Sequence, residues 1–340
     1  MEILIISDGG ETGKGLTHLN TEDIITFTKN YYIYDCILKE SNLIIQDEIF
    51  DLKNIKTIIF NFNEDLFAFP GVHNNANATA NLKKRFGNVN NMIQAFNDIS
   101  HFIKEKFPNI IIYQDPEKCF ELGNKLKVYD RIQHIKNDIF RNIRYKKITN
   151  IDDLKNIDFY PIILKKNYGS HNSSDTLCKN INQAKVKWKN YFKRFKNIIA
   201  VEFINSYISE LSCNASIRLM VTNNNLLDFY CRPSKKWNIH NADQISSKII
   251  YFDNYFFKFY NKNKIEIDKH LNAIHKLYGN GFFAYDIILS NNRLYICEIG
   301  IKMIDTSYIK SVKDLKNKLN KISLCSTKLT TYYKKVLLSQ

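Results

Sequence analysis

The stretch "FFAYDIILSNNRLYICEIG", Phe282–Gly300, decides how the rest of the chain is read. Two apolar runs flank Ser290-Asn291-Asn292-Arg293, the pattern of two antiparallel strands joined by a tight turn. A three-residue turn over Asn291–Arg293 pairs Ser290 with Leu294, and therefore Asp286 with Glu298. Side chains so paired share a sheet face, with Cβ atoms about 5 Å apart. Two carboxylates that close repel each other unless a cation lies between them or one takes up a proton. Mg²⁺, with Mn²⁺ as its alternative, is the hard cation that accepts one or two protein carboxylates and completes its shell with phosphate oxygens and water. A turn shifted by one residue would instead put Glu298 on the opposite face as a solvated side chain.

Upstream, "YPIILKKNYGSHNSSDT" (Tyr160–Thr176) places Lys165 at the end of an apolar strand, four residues before Gly169 and Ser170. A lysine feeding a Gly/Ser loop suits phosphate, the loop backbone folding over it. The plain alternative is a surface lysine before a turn. In "AVEFINSYISE", Glu202, Phe203 and Ile204 end a strand at a connection between lobes, where an adenine ring could lie between apolar side chains. Arg218 in "SIRLMV", and Arg232 with Lys235 in "CRPSKKWNIH", add cations suited to phosphate or carboxylate.

The chain has 340 residues, 44% of them hydrophobic, enough for a sizeable core and two or three lobes. No apolar run reaches the roughly 20 residues that span a bilayer, and "MEILIISDGG" has no basic leader, so a cytoplasmic protein without membrane partners is expected. Seven cysteines without any C-x-x-C read as reduced core thiols rather than a disulfide or zinc framework. The net charge of +15 is spread among Asn and Ile along the chain, which points away from nucleic acid and toward a field that attracts anionic ligands such as ATP.

Residues 1–115 alternate the apolar runs "EILIIS", "YDCIL", "TIIFNF" and "NIIIY" with helical periodicity in "VNNMIQAFNDISHFIKEKF", as expected for a parallel sheet with flanking helices. "HNNANATANLKKRFGN" (His73–Asn88) reads as a long loop. From Asp115-Pro116 onward the rhythm changes: "YPIILKK", "NIIAVEFI", "SIRLMV", "LLDFYCR", "FFAYDIIL" and "RLYICEIG" are strands, the last ones forming an antiparallel sheet. The tail from Ser311 reads as a closing amphipathic helix. The glycine-rich "ISDGGETGKGLTHLN" (Ile6–Asn20) fails as a phosphate loop, because Gly13-Lys14 is followed by Gly15 and the required first glycine is Asp8.

Taken in order, a helix with a lysine, "ILKKNYGS", "VEFI", "SIRLMV", a basic strand end, and "YDII" followed by "CEIG" resemble the ATP-grasp superfamily. The branch is that of the ribosomal-protein glutamate ligases and glutathione synthetases, over roughly residues 115–310. The resemblance implies an α/β chain: an N-terminal parallel-sheet domain (1–115), an ATP-grasp small lobe (116–200), and a large lobe with an antiparallel sheet and closing helix (201–340). It implies an ATP- and Mg²⁺-dependent carboxylate–amine or carboxylate–thiol ligase acting through an acyl phosphate. By position, Lys165 and Lys125 contact phosphates, with Arg131 the competing match for Lys125, and Gly169 and Ser170 form the covering loop. His171 in that loop reads as a solvated residue rather than a base. Glu202, Phe203 and Ile204 meet adenine, and Glu210 or Ser216 meets ribose. Arg232 faces the γ-phosphate with Asn238 nearby, Arg218 adds a cation, and Asp286 and Glu298 hold the metal. The family's Glu-x-Asn is here Glu298-Ile299-Gly300, so water or Asp305 must complete the shell, and a catalytically degenerate ATP-binding protein is the alternative. Another is a peptide-modifying ligase. The expected partners are small-molecule or peptide carboxylates and amines, with a homodimer left open.

Overall fold

The computed structural model describes residues 2–8, 28–62, 76–168, 175–194, 197–239 and 245–301. Seven strands come first: β1 (Glu2–Ser7), β2 (Thr28–Tyr32), β3 (Cys36–Lys39), β4 (Asn42–Ile45), β5 (Glu48–Ile49), β6 (Ile55–Asn61) and β7 (Ile111–Tyr113). Four of them form a parallel sheet in the order β2-β1-β6-β7. Its inner strands are near-continuous aliphatic runs, with Ile3, Leu4, Ile6, Ile58, Ile59 and Phe60 all buried, as a sheet covered on both faces requires.

Two expectations fail in this half. The "YDCIL" run does not join the parallel sheet; β3 opens a separate antiparallel meander, β3-β4-β5. Two-residue connections at Glu40-Ser41 and Gln46-Asp47, with positive φ at Glu40, Gln46 and Asp47, leave no room for the crossover that parallel pairing needs. Nor is 73–88 a long loop, because α1 (Ala76–Phe86) occupies most of it. Three alanines, Leu82 and a basic last turn outweigh the interspersed asparagines, and Gly87 at φ +72° ends the helix with its N–H on the Lys83 carbonyl. α2 (Val89–Lys106) is capped by the Asn88 side chain and buries Met92, Phe96, Ile99, Phe102 and Ile103 on one stripe.

The second half begins with α3 (Pro116–Cys119) and α4 (Lys125–Ile132), then β8 (Phe140–Arg141), β9 (Tyr145–Ile148), β10 (Ile162–Lys166), β11 (Thr176–Cys178), α5 (Ile181–Arg194) and β12 (Ile198–Glu202). A small antiparallel sheet, β11-β10-β12-β9, packs Ile162, Leu164, Ile198 and Ala200 against Ala184 and Tyr191 of α5. Lys165, one residue on from Leu164, therefore points to the other face.

The large sheet contains β13 (Tyr207–Ile208), β14 (Cys213–Thr222), β15 (Asn225–Ser234), β16 (Phe282–Ser290) and β17 (Arg293–Gly300), in the path β13-β14-β16-β17-β8 with β15 on β14. The 30-residue helix α6 (Ile249–Tyr278), unanticipated from the sequence, covers one face. Phe256 meets Phe229 edge-on at 4.8 Å, and Ile217, Leu219, Phe283, Tyr285 and Ile287 lie in the same core. The opposite face carries Ser216, Arg218, Tyr230, Arg232, Asp286 and Glu298. No described helix is long and apolar enough to cross a membrane.

The β16–β17 hairpin turns on two residues, Asn291 and Asn292, both with positive φ, a primed turn suited to the strand twist. Ser290 pairs with Arg293, and Ile287 with Ile296. That register alone would set Asp286 opposite Cys297 and send Glu298 into the core. A β-bulge between Asp286 and Ile287 shifts the pairing by one residue, so Asp286 lies opposite Glu298. The expected pairing is correct although the expected three-residue turn is not. The bulged Cys297 carbonyl is claimed by the Tyr129 hydroxyl of α4 at 2.8 Å.

Two stability effects follow. Tyr129→Phe leaves that carbonyl without its donor, a loss of about 1–3 kcal/mol expected as a lower urea midpoint; an unchanged midpoint would mean that water replaces the phenol. His270 of α6 is stacked on Phe140 with ring centroids 3.9 Å apart and neither ring nitrogen has a partner. Burial lowers its pKa from 6.5 to about 4. The unfolded chain thus binds the extra proton between those values, so stability is full above pH 6.5 and falls as pH drops toward 4, by about 3 kcal/mol from this residue. His270→Phe should flatten that part of the pH–stability curve, which chemical denaturation at a series of pH values would reveal.

Candidate active site

The uncovered face of the large sheet carries a row of charge. Register sets Tyr230 of β15 opposite Arg218 of β14, Arg218 opposite Asp286 of β16, and Asp286 opposite Glu298 of β17. Arg218 grips Asp286 fork to fork: Nε donates to Oδ1 and Nη2 to Oδ2, each at 2.7 Å. Arg232 Nη2 donates to Oδ1 at 2.9 Å. Burial would raise the Asp286 pKa, but the two guanidiniums outweigh it and hold the carboxyl far below the usual carboxylate range.

Glu298 faces Lys125, whose Nζ lies 3.8 Å from Oε1. Lys125 is buried at the first position of α4, whose N-cap Asn124 accepts from the Lys127 N–H. Its neighbour Lys165 reaches in from β10 and pairs with Asp175 at 3.4 Å. Burial disfavours the Lys165 ammonium, yet the charge of Asp175 leads the influences that hold its pKa above the ordinary lysine value. Asp175 went unnoticed in the sequence; its one signal is an acid directly after the Ser-rich run. Cys297 lies between these groups, and burial pushes its thiol up to about 12, so it stays protonated.

Of the two candidate cations, Lys125 stands beside the row and Arg131 does not. Arg131 is tied to Glu121 and sits over the Tyr278 ring, away from the row. Ser216 and Glu210 separate as clearly. Glu210 is exposed in the turn before β14 and accepts from the Ser209 hydroxyl, whereas Ser216 is on the charged face opposite Arg232. The buried Ser216 hydroxyl and Arg232 Nε have no hydrogen-bond partner among the described residues.

Glu202 ends β12 with its carboxylate on Arg144, at 3.0 Å to Nη2 and 3.2 Å to Nε. Phe203 follows, its N–H on the Pro161 carbonyl and its ring edge-on to Trp237 at 5.7 Å, with Ile204 buried next to it. This segment bridges the small and large sheets and leaves an aromatic wall at their junction. Asn238 is half-buried just beyond β15. Gly169, Ser170, His171, Asp305, the glycine-rich turn and the tail lie outside the described residues.

A divalent cation fits the Asp286–Glu298 pair, which offers two carboxylates directly opposite each other on one face. Among the described residues no third acidic, histidine or cysteine side chain joins them in a metal-holding group.

No family model matches the sequence, and no curated relative does. Solved structures do match in fold. An ATP-grasp ligase associated with a ribosomally made peptide in Chryseobacterium gregarium, solved with ADP and a leader and core peptide, superposes with a TM-score of 0.52 at 12% identity, over 95% of this chain and 96% of that one. The ATP-grasp ligase PsnB with a minimal precursor gives 0.56 at 10% identity over 96% and 99%. A RimK-domain ATP-grasp protein from Sphaerobacter thermophilus gives 0.50 at 7% identity over 96% and 98%. Matching these structures over most of its length, the chain has the ATP-grasp fold.

Proposed function

We propose that this chain is an ATP-dependent ligase that joins a carboxylate to an amine through an acyl phosphate. The observation that carries the reading is the charged row: Arg218, Asp286 and Glu298 side by side on one sheet face, with Arg232 beside them and Lys125 and Lys165 brought in by α4 and β10. Four cations around three carboxylates, counting Asp175, suit a polyanionic ligand arriving with a divalent ion.

In this reading Lys125 and Lys165 hold the nucleotide phosphates, and Phe203, Ile204 and Trp237 wall the base. Ser216 offers its hydroxyl to the ribose. Mg²⁺, held by Asp286 and Glu298, would neutralise the β- and γ-phosphate oxygens. A substrate carboxylate oxygen attacks the γ-phosphorus as the bond to ADP breaks. Arg232 takes the charge that develops on the transferring group. The amine then attacks the acyl carbon, inorganic phosphate departs with the bonding electrons, and the amine proton passes to solvent.

The substrate class that best fits is an acidic side chain of a peptide, supported by the likeness to two ligases solved with peptides bound. Release of phosphate with a peptide carboxylate, and not with free amino acids, would support it; the reverse would favour a small-molecule ligase.

Glu298→Gln should lower ATP turnover at least about a hundredfold with the fold retained, as circular dichroism would show. Asp286→Asn should also abolish turnover but cost stability, because Arg218 and Arg232 lose their shared carboxylate. Unchanged turnover in both would sink the metal assignment. Lys165→Ala should weaken ADP binding by about ten- to a hundredfold; equal affinity by calorimetry would remove the lysine from the phosphate site.

A further inference from the structure

Asp286 has two carboxylate oxygens with about four lone-pair directions between them. Three are already used: Arg218 takes one on each oxygen at 2.7 Å, and Arg232 takes a second on Oδ1 at 2.9 Å. These are charge-assisted bonds, the two from Arg218 in the fork-on-fork geometry that is strongest. Arg218 is also the residue directly opposite Asp286 in the strand register, so its grip needs no adjustment of the backbone. A divalent ion and a guanidinium compete for the same lone pairs. An ion approaching alone must open at least one of these bonds, which costs the guanidinium a charge-assisted partner.

With a polyphosphate present the balance changes. Freed N–H groups of Arg218 and Arg232 can turn to phosphate oxygens, and the ion brings phosphate ligands of its own. Partners are exchanged rather than lost, so ion and nucleotide assist each other, by the same factor in each direction.

We propose that Arg218 is the resident counter-ion of Asp286, a positioning residue that makes divalent-ion uptake depend on bound nucleotide. The proposal rests on the nucleotide site described above. It ranks the two arginines: Arg218, with two bonds, guards the carboxylate more than Arg232, with one.

The test is Mn²⁺ titration of the full chain, with the unbound ion followed by electron paramagnetic resonance, with and without ADP. The unsubstituted protein should take up Mn²⁺ at least about tenfold more tightly when ADP is present. Arg218→Met should bind Mn²⁺ without ADP about tenfold more tightly than the unsubstituted protein, and the ADP enhancement should shrink accordingly. Arg232→Met should show a smaller gain. Arg218→Lys, a point charge that cannot cover both oxygens, should fall in between, and it carries the test if the methionine variant does not fold. Equal nucleotide-free affinity in the unsubstituted and Arg218 variants, with ADP still enhancing uptake, would overturn the guard and leave the ligase reading standing. Absence of Mn²⁺ uptake by any of them even with ADP would overturn both.

Discussion

One extra residue in β17 sets the chemistry of the large sheet. Leu294 and Ile296 of that strand face the core and so does Ile299, an odd step of three that only a bulge permits in a period-two strand. The bulge carries Glu298 from the core face to the face of Asp286. It leaves a carbonyl turned out of the ladder, and the Tyr129 hydroxyl takes it. Tyr129 belongs to α4, whose first residue is Lys125, the cation that meets Glu298. One irregularity in the ladder thus fixes the carboxylate, the helix that serves it and the lysine opposite it.

The site is balanced within itself. Asp286 answers Arg218 and Arg232, Glu298 answers Lys125, Asp175 answers Lys165, and Glu202 answers Arg144. Buried charges persist only when paired in this way. Removing one partner leaves the other costly, and Asp286 is shared by two arginines at hydrogen-bond distance. The same pairing means that a ligand enters by exchanging ion pairs rather than by filling a void.

The sequence made the strands and their charged residues legible, because Lys165, Arg218, Arg232, Asp286 and Glu298 each interrupt an apolar run of clear period. The pairing of Asp286 with Glu298 was reached through a turn of the wrong length. Asn291-Asn292 carried the signal for a two-residue turn, but nothing local announces a bulge at Cys297, whose carbonyl meets a tyrosine more than a hundred residues upstream. The partnership of Tyr129 with Cys297 across the chain was hidden for the same reason. The α1 segment was misread because asparagine count was weighed above the alanines and the terminal glycine. The YDCIL run was misplaced because strand propensity carries no information on parallel or antiparallel pairing; the short turns do.

Beyond the Asp286–Glu298 pair, the next pair on the same face is Ala284 with Gly300, neither of which has an oxygen in its side chain. The preceding pair, Ile288 with Tyr295, offers only a phenol. A cation at the carboxylates therefore has protein oxygen on two sides and open or apolar surface along the strands. That is no closed cage of the kind that holds an ion permanently. It suits an ion that is shared with a phosphate chain, because Mg²⁺ keeps its octahedral shell only where ligands from outside the protein complete it. The guanidiniums on Asp286 keep that carboxylate ionised and aimed.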